Sequence, residues 1–129
     1  VGEQGTAKSS LVRFIRGFVD PSSVPLLAPP ATNRDLFIAA RNSFVLAFDN
    51  LSKLSPELSD SLARISTGGG IRLRTLYTDT DETLINVARP QVLNGIYDFV
   101  TREDLQDRSI ILALQPITEP PGAVCQRMP

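Results

Sequence analysis

The chain of 129 residues is 42% hydrophobic and 21% charged, and its 13 Lys and Arg nearly balance 14 Asp and Glu, for a formal net charge of −1. This size and apolar content suffice for one domain with a buried core. The near-zero charge excludes a chain-wide attraction to nucleic acid or anionic membrane, although it permits a local basic patch. The longest apolar runs are too short to span a bilayer, so we expect a soluble, cytoplasmic protein without a membrane partner.

Histidine is absent from the sequence, and cysteine occurs once. These counts exclude Ser-His-Asp triads, Cys-His dyads, zinc sites that contain His and an intrachain disulfide. Any catalysis must therefore use carboxylates, Lys, Arg, Asn, Ser, Thr or backbone amides.

The first predicted elements lie between residues 11 and 48. Apolar residues at i, i+3, i+4 and i+7 predict an amphipathic helix over 11–18, which Asp20 and Pro21 end. The run 24–28 lies between prolines and predicts an edge strand or a loop. A capping-box spacing at 32–35 precedes a helix over 36–40. The continuous apolar run 44–48 is typical of a strand buried on both faces of a parallel sheet.

The second half of the chain continues the alternation of helices and strands. Pro56 opens a helix that three glycines end at 68–70. A hairpin is predicted over 71–87, around an acidic turn. The remaining predicted elements are a strand at 91–93, a short helix from a capping box at 101–104 through Arg108, and a strand at 110–114.

Strands that alternate with helices predict a three-layer α/β domain with a mostly parallel sheet and a β-hairpin insertion over residues 1–117. We expect the first strand of this core to be missing before Val1. Residues 118–129 lose all periodicity and predict a disordered tail.

The strongest motif begins at the second residue of the chain. Residues 2–9 match the phosphate-binding pattern G-x-x-x-x-G-K-[ST] at each fixed position except Ala7, where glycine is usual. Successive backbone N–H groups and the following helix N-terminus can hold phosphates, Lys8 can reach the β- and γ-phosphates, and Ser9 can ligate Mg²⁺. The alternative is a glycine-rich turn with an ordinary surface lysine. The motif predicts that ATP and Mg²⁺ are bound by Gly2, Gly5, Thr6, Ala7, Lys8 and Ser9.

Acidic and amide side chains follow two of the predicted strands. Asp49 ends the apolar run 44–48 and is a candidate for the Mg²⁺ site, although an aspartate at a strand end is also a common loop residue. Asn50 follows it as a candidate catalytic residue, and its amide can orient water but is a poor proton acceptor. Asn94 ends the strand 91–93 and can contact a γ-phosphate, or it is a turn residue before Gly95.

Arg108 ends the last predicted helix. Its guanidinium can neutralise charge on a transferring phosphoryl group, which makes it a candidate catalytic residue. Alternatively, it is a cation that interacts favourably with the C-terminal end of that helix.

Taken in order, the segments 2–9, 44–50, 89–94 and 107–108 resemble the AAA+ module of P-loop NTPases. The segment 65–77 is similar to a stretch of primase-associated, superfamily 3-like ATPases encoded by phages, mobile elements and large DNA viruses. The chain departs from that family at Ala7, at Asn50 and at Gly70, and it carries no helical lid.

The resemblance implies an oligomeric ring in which Asn94 is a sensor and Arg108 reaches the ATP of a neighbouring subunit. It also implies a hairpin that contacts single-stranded DNA. Arg72 and Arg74 alternate on one face of its first strand, where arginines beside Tyr77 suit phosphate contacts and base stacking. The alternative for these arginines is a solvated strand face, balanced by the acidic turn.

Two functions of different classes remain open. The first is an ATPase of helicase type that couples ATP hydrolysis to DNA translocation as part of a helicase or primase–helicase. The second is an ATP-binding regulatory switch or scaffold with little hydrolysis, which Asn50 favours.

Overall fold

The structure is a computed structural model that describes residues 1–74 and 82–118, and both the tip of the hairpin and the predicted tail from residue 119 on lie outside these ranges. Four helices and four strands follow one another in the described chain. In order, they are α1 (Lys8–Val19), α2 (Asn33–Asn42), β1 (Leu46–Leu51), α3 (Pro56–Thr67), β2 (Gly70–Arg74), β3 (Glu82–Asn86), β4 (Gln91–Gly95) and α4 (Glu103–Gln106).

The central feature is a parallel pair of strands, β1 and β4. Leu46 lies opposite Gln91 and Phe48 opposite Leu93, and the register then shifts before Leu51. A parallel ladder brings the carboxyl ends of both strands to the same edge of the sheet, where α/β proteins usually bind their ligands.

Backbone hydrogen bonds widen this sheet beside β1. The amide of Leu27 donates to the carbonyl of Ala47, and the amide of Asp49 donates to the carbonyl of Leu27, each at 2.9 Å. Leu27 thereby forms a single parallel bridge with β1. Of the edge strand or loop predicted at 24–28, the structure has the loop, with Leu27 as its one bridging residue.

Further backbone bonds lie beyond β4. The amide of Gly2 donates to the carbonyl of Gly95 at 3.3 Å, and the amide of Leu114 donates to the carbonyl of Val1 at 2.9 Å. The nitrogen of Val1 donates in turn to the carbonyl of Leu112 at 2.7 Å. This alternation is the pattern of a parallel pair, so the segment predicted as a strand at 110–114 lies beside the first residues of the chain.

The observed architecture is a small α/β fold with four helices and a two-stranded parallel sheet, beside which β2 and β3 form a separate antiparallel pair. The predicted α/β class and the hairpin are confirmed. The predicted three-layer core with a mostly parallel sheet is shown only in part, because β1 and β4 are the one parallel ladder in the ranges 1–74 and 82–118.

The core lies where β1 meets helices α2, α3 and α4 and the loop after β4. Leu46 and Phe48 alternate with Ala47 along the pleat, so they point to the face opposite Ala47. The buried apolar cluster contains Leu36, Phe37, Ala40, Leu46, Phe48, Leu51, Leu62, Ala63, Ile65, Phe99, Val100 and Leu105. This cluster fixes the orientation of β1 and therefore of the residues at its end.

The helix predicted over 11–18 is confirmed within α1, which packs against β1 and β4. Its buried residues are Val12 and Arg16, whereas Leu11, Phe14 and Phe18 of the apolar spacing are exposed. The guanidinium of Arg16 donates to the carboxylate of Asp20 at 3.3 Å and to nearby backbone carbonyls, so its burial is compensated.

Local capping signals predict two helices correctly. Thr32 accepts the amide of Asp35 at the start of α2, and Ser55 accepts the amide of Leu58 at the start of α3. Gly68 ends α3 in the left-handed conformation with φ 91°. The predicted cap at Thr101 is wrong, because α4 begins at Glu103 and has no side-chain cap.

Strand β1 begins two residues later than the apolar run predicts. The carboxylate of Asp20 accepts the amides of Phe44 and Val45 at 3.1 and 3.0 Å, so these amides do not join the ladder. Phe44 is 55% exposed as a result.

No helix in the described parts of the chain combines the length and apolarity needed to cross a bilayer.

We predict that Gly95→Ala destabilises the protein by about 2–4 kcal/mol. A Cβ at this position would overlap the carbonyl oxygen of Leu51 and lie 2.8 Å from the ring of Phe99, and a backbone oxygen in a sheet cannot move aside. Gly17→Ala is the matched control, because a Cβ there meets nothing within 4 Å and alanine favours the helix by about 1 kcal/mol. Urea unfolding of both variants would contradict the account if Gly95→Ala equalled wild type.

Candidate functional site

Residues 2–7 form a loop between the edge of β4 and the start of α1. Thr6 is buried, and its hydroxyl donates to the carbonyl of Glu3 at 2.9 Å, which closes the loop on itself. At Gly2, a Cβ would lie 2.8 Å from the carbonyl oxygen of Leu114. The loop therefore requires glycine at its first position because the neighbouring backbone approaches so closely.

Three residues of the loop have positive φ. Gly2 has φ 159°, Gly5 has φ 84°, and Ala7, the residue before α1, has φ 56° and ψ 28°. The left-handed region suits glycine and strains alanine by about 1 kcal/mol. Glycine would be less strained than alanine at position 7, where the motif usually has glycine.

Lys8 is the first residue of α1, and its ammonium group folds back over the loop. Its Nζ donates to the carbonyl oxygens of Gly2 and Glu3, each at 2.6 Å, and to the hydroxyl of Thr6 at 3.2 Å. No side chain caps α1. Since the first amides of a helix have no intrahelical acceptor, the end of α1 presents free N–H groups beside this ammonium.

Ser9 and Asp49 are brought together, as the motif predicts. The hydroxyl of Ser9 donates to Oδ1 of Asp49 at 3.1 Å, although the two residues lie on α1 and β1. Asp49 is half-buried at the point where β1 leaves the ladder register. The contact depends on α1 packing across the carboxyl end of β1.

Asn94 lies beside Asn50 at the same edge of the sheet. Its Oδ1 accepts the backbone amide of Asn50 at 3.0 Å, and Asn50 adopts φ 60°, which asparagine tolerates better than most residues. Asn94 is only 4% exposed, and its Nδ2 has no hydrogen-bond partner in the described structure. A buried amide donor without a partner is costly and points to a ligand or an ordered water.

Asn94 and Lys8 line one cavity of about 150 Å³. Apolar side chains of α1, including Val12 and Ile15, form one wall, and β4 forms the other. The lining of this cavity is mostly apolar, and Lys8, Gln91 and Asn94 are its residues with side-chain N–H donors. Such donors can interact with an anion.

The described residues contain no group of three His, Cys, Asp or Glu side chains that could hold a metal ion. Ser9 and Asp49 supply one hydroxyl and one carboxylate side by side. Zinc or calcium requires more protein ligands, whereas Mg²⁺ is usually held by one or two, with waters and substrate phosphates completing its octahedron. The donor set fits Mg²⁺ bound together with phosphate.

The structure places Arg108 elsewhere. Its guanidinium donates to the carbonyl and the carboxylate of Asp104, one turn back. It lines a separate cavity of about 440 Å³ on the side of α4, together with Arg89 and Asp98. This contact fits the alternative in which Arg108 is a cation near the end of its helix. A role of Arg108 toward the ATP of a neighbouring copy remains a prediction.

Arg72 and Arg74 lie on β2, opposite Leu84 and Glu82 of β3. Their proposed contact with DNA remains a prediction. The hairpin is a separate sheet from the β1–β4 pair, so these residues are not part of the site around Lys8. The aromatic residue proposed beside them, Tyr77, lies outside the described ranges.

One contact at the site is missed by sequence reasoning. The amide of Ile117 donates to the carbonyl of Gly5 at 3.2 Å, so the segment that follows Leu114 passes beside the loop. The contact joins two backbones that are distant in the chain. No composition or spacing signal could reveal it.

The fold and the site define a small α/β protein with a glycine-containing loop near the carboxyl edge of a two-stranded parallel sheet. The sequence model of the actinomycete integrative conjugative element replication protein family (AICE_RepA) matches residues 1–119, and the chain belongs to this family. Its role therefore lies in DNA replication of a mobile element. No curated protein and no solved structure matches the chain.

The family match corrects the resemblance drawn from the sequence. The chain is identified with the replication proteins of actinomycete conjugative elements, and the match gives no support to a superfamily 3-like AAA+ or other P-loop NTPase family. Short motifs such as the one at 2–9 also occur in unrelated protein families, so this motif alone does not establish membership in a P-loop NTPase family. The mobile-element and DNA-replication context of that resemblance is confirmed.

We predict that Asn94→Leu destabilises the protein by about 1–3 kcal/mol, because the amide of Asn50 loses its acceptor. Asn50→Gly is the matched control, since it keeps that amide and suits the positive φ, and its effect should stay within about 0.5 kcal/mol. Chemical denaturation measures both. Equal stability of wild type and Asn94→Leu would show that this hydrogen bond does not hold the edge together.

We also predict that Ala7→Gly stabilises the protein by about 1 kcal/mol, because glycine relieves the left-handed strain. Ala39→Gly provides the comparison, because it places the same change inside α2 and should destabilise by about 1 kcal/mol. Thermal unfolding distinguishes them. If both variants lost stability, residue 7 would not adopt positive φ in solution.

Proposed function

We propose that the chain binds the triphosphate of ATP together with Mg²⁺ at residues 2–9, Asp49 and Asn94, and uses this binding in replication of its mobile element. The observation that carries the proposal is the buried Nδ2 of Asn94, which has no partner in the described structure and belongs to a residue that lines one cavity with Lys8. A donor in that position gains a partner when a phosphate oxygen enters.

The charges at the loop favour a polyanion. Lys8 supplies a full positive charge, and its three present acceptors are neutral oxygens of the loop. A phosphate oxygen is a stronger acceptor for an ammonium group than a carbonyl oxygen is, because the hydrogen bond is charge-assisted on both sides. Lys8 can therefore turn from the loop toward a phosphate without leaving a buried charge unpaired.

Ser9 and Asp49 would hold the magnesium ion. The 3.1 Å contact between their oxygens places them as neighbouring ligands or, for Asp49, as a partner of a metal-bound water. When bound, Mg²⁺ neutralises phosphate charge and polarises the terminal phosphoryl group. The parallel sheet lies behind the loop and is widened by the backbone bonds at Leu27 and Val1. It would keep these ligands in place.

Work on DNA is the second part of the proposal. The family's printed description as a replication protein supports it, as do Arg72 and Arg74 on one face of the hairpin. Arginines at this spacing would contact successive phosphates of a single strand. ATP hydrolysis would then be coupled to movement along DNA.

A regulatory switch with little hydrolysis is the second candidate, and Asn50 favours it. Asn50 follows Asp49, and its backbone is tied to Asn94, so residue 50 is held at the edge of the site. An amide there can orient a water but cannot accept its proton. The protein would in that case bind ATP, turn it over slowly and control a partner.

We predict that Lys8→Ala weakens Mg²⁺-ATP binding at least about tenfold, because it removes a charge-assisted contact to the phosphates. Lys53→Ala is the matched control, since Lys53 is exposed on the loop after β1. Isothermal titration of both variants measures the affinities. Unchanged affinity of Lys8→Ala would refute the phosphate site.

ATP turnover measured with and without single-stranded DNA separates the two candidate functions. Stimulation by DNA that is lost in an Arg72→Ala, Arg74→Ala double variant would support the coupled ATPase. Tight binding without turnover in either condition would support the switch.

A further inference from the structure

We propose that Ile117 forms the apolar surface on which the base of the bound nucleotide lies, so that the site selects a nucleotide over a bare polyphosphate. This inference rests on the proposed function, because it names a second contact of the same ligand. It concerns a part of the chain, 115–118, to which the phosphate-binding motif assigns nothing.

The position of Ile117 is set by backbone bonds to the loop. Its amide donates to the carbonyl of Gly5 at 3.2 Å, and three residues earlier the amide of Leu114 donates to the carbonyl of Val1 at 2.9 Å. The segment between these two bonds therefore runs alongside the loop. The backbone bond therefore places residue 117 directly beside Gly5 of the loop.

The side chain of Ile117 is not buried in the core. It is 69% exposed, although it is large, apolar and next to a loop that is otherwise polar. A single exposed isoleucine is unremarkable on a protein surface. One that is pinned by its own amide to an anion-binding loop is placed to contact whatever is attached to the anion.

The loop is open on the side of Gly5. A Cβ built at Gly5 meets no atom within 4 Å, whereas one at Gly2 would meet the carbonyl of Leu114. The space available to a ligand thus lies at the end of the loop that carries the bond to Ile117. A group that extends from the phosphates at this end would pass over the isoleucine.

A nucleobase has the chemistry that this surface can use. Its faces are flat and apolar, and covering an exposed isoleucine with such a face removes apolar area from water on both partners. Tyr97 is a further large exposed side chain near the carboxyl edge, but the nearest backbone bond of its segment to the loop is at Gly95, two residues away, whereas Ile117 bonds to Gly5 through its own amide. We therefore assign the base contact to Ile117, and the experiment reports on Tyr97 as the alternative.

The test compares ATP with inorganic tripolyphosphate, both with Mg²⁺, by isothermal titration of the full chain. Wild type is expected to bind ATP more tightly than tripolyphosphate. Ile117→Ser should weaken ATP binding about fivefold and leave tripolyphosphate binding unchanged, because the substitution keeps the amide that bonds to Gly5. Ile117→Phe should retain or strengthen ATP binding. Ile111→Ser is the matched control on the same segment and should change neither affinity.

Three outcomes would overturn the inference. If Ile117→Ser binds both ligands as wild type does, or if Tyr97→Ser shows the selective loss instead, Ile117 does not contact the base while the phosphate site stands. If Ile117→Ser weakens both ligands equally, the residue supports the loop and provides no base surface. If wild type binds neither ligand, the proposed function itself fails.

Discussion

The parallel pairing of β1 with β4 is the constraint on which the candidate site depends. It carries Asp49 and Asn94 to one edge of the sheet, and the bond from the Asn50 amide to Asn94 fixes that edge after the register shifts. The apolar cluster beneath β1 holds the strand in place. Helix α1 then lies across both strands, so that Ser9 meets Asp49 and Lys8 shares a cavity with Asn94. Without this pairing, the loop would be an isolated glycine-rich turn.

Several hydrogen-bond donors at the loop are either unpartnered or bonded to neutral oxygens, so a ligand could become their acceptor. Lys8 satisfies its charge on neutral oxygens of its own loop, the first amides of α1 have no cap, and Asn94 keeps one amide unpartnered. Each of these groups is costly or weakly satisfied alone, and together they favour a bound anion. Membership in a replication-protein family of conjugative elements gives this chemistry its setting. The nucleotide-dependent step in DNA replication that we propose would account for both observations.

Sequence patterns predicted what depends on neighbouring residues. The caps at Thr32 and Ser55, the glycine stop at Gly68 and the hairpin pairing are local, and the structure has them. The patterns failed where residues distant in the chain meet. The carboxylate of Asp20 accepts the amides of Phe44 and Val45, so β1 begins later than the apolar run predicts. The motif at 2–9 predicted the Ser9–Asp49 contact, yet the placement of Arg108 and the bond from Ile117 to Gly5 arise from the tertiary fold. The family assignment went wrong for a related reason, since short motifs describe a site and not the whole chain.

Hydrogen–deuterium exchange of the full chain with and without Mg²⁺-ATP tests the central claim most directly, because it reports on every amide at once. The account predicts that slowed exchange is concentrated in the loop and first turn of α1, at 49–50 and at the end of β4, since these amides surround the phosphates. Exchange that is unchanged there, or slowed only in segments away from the sheet edge, would contradict the account.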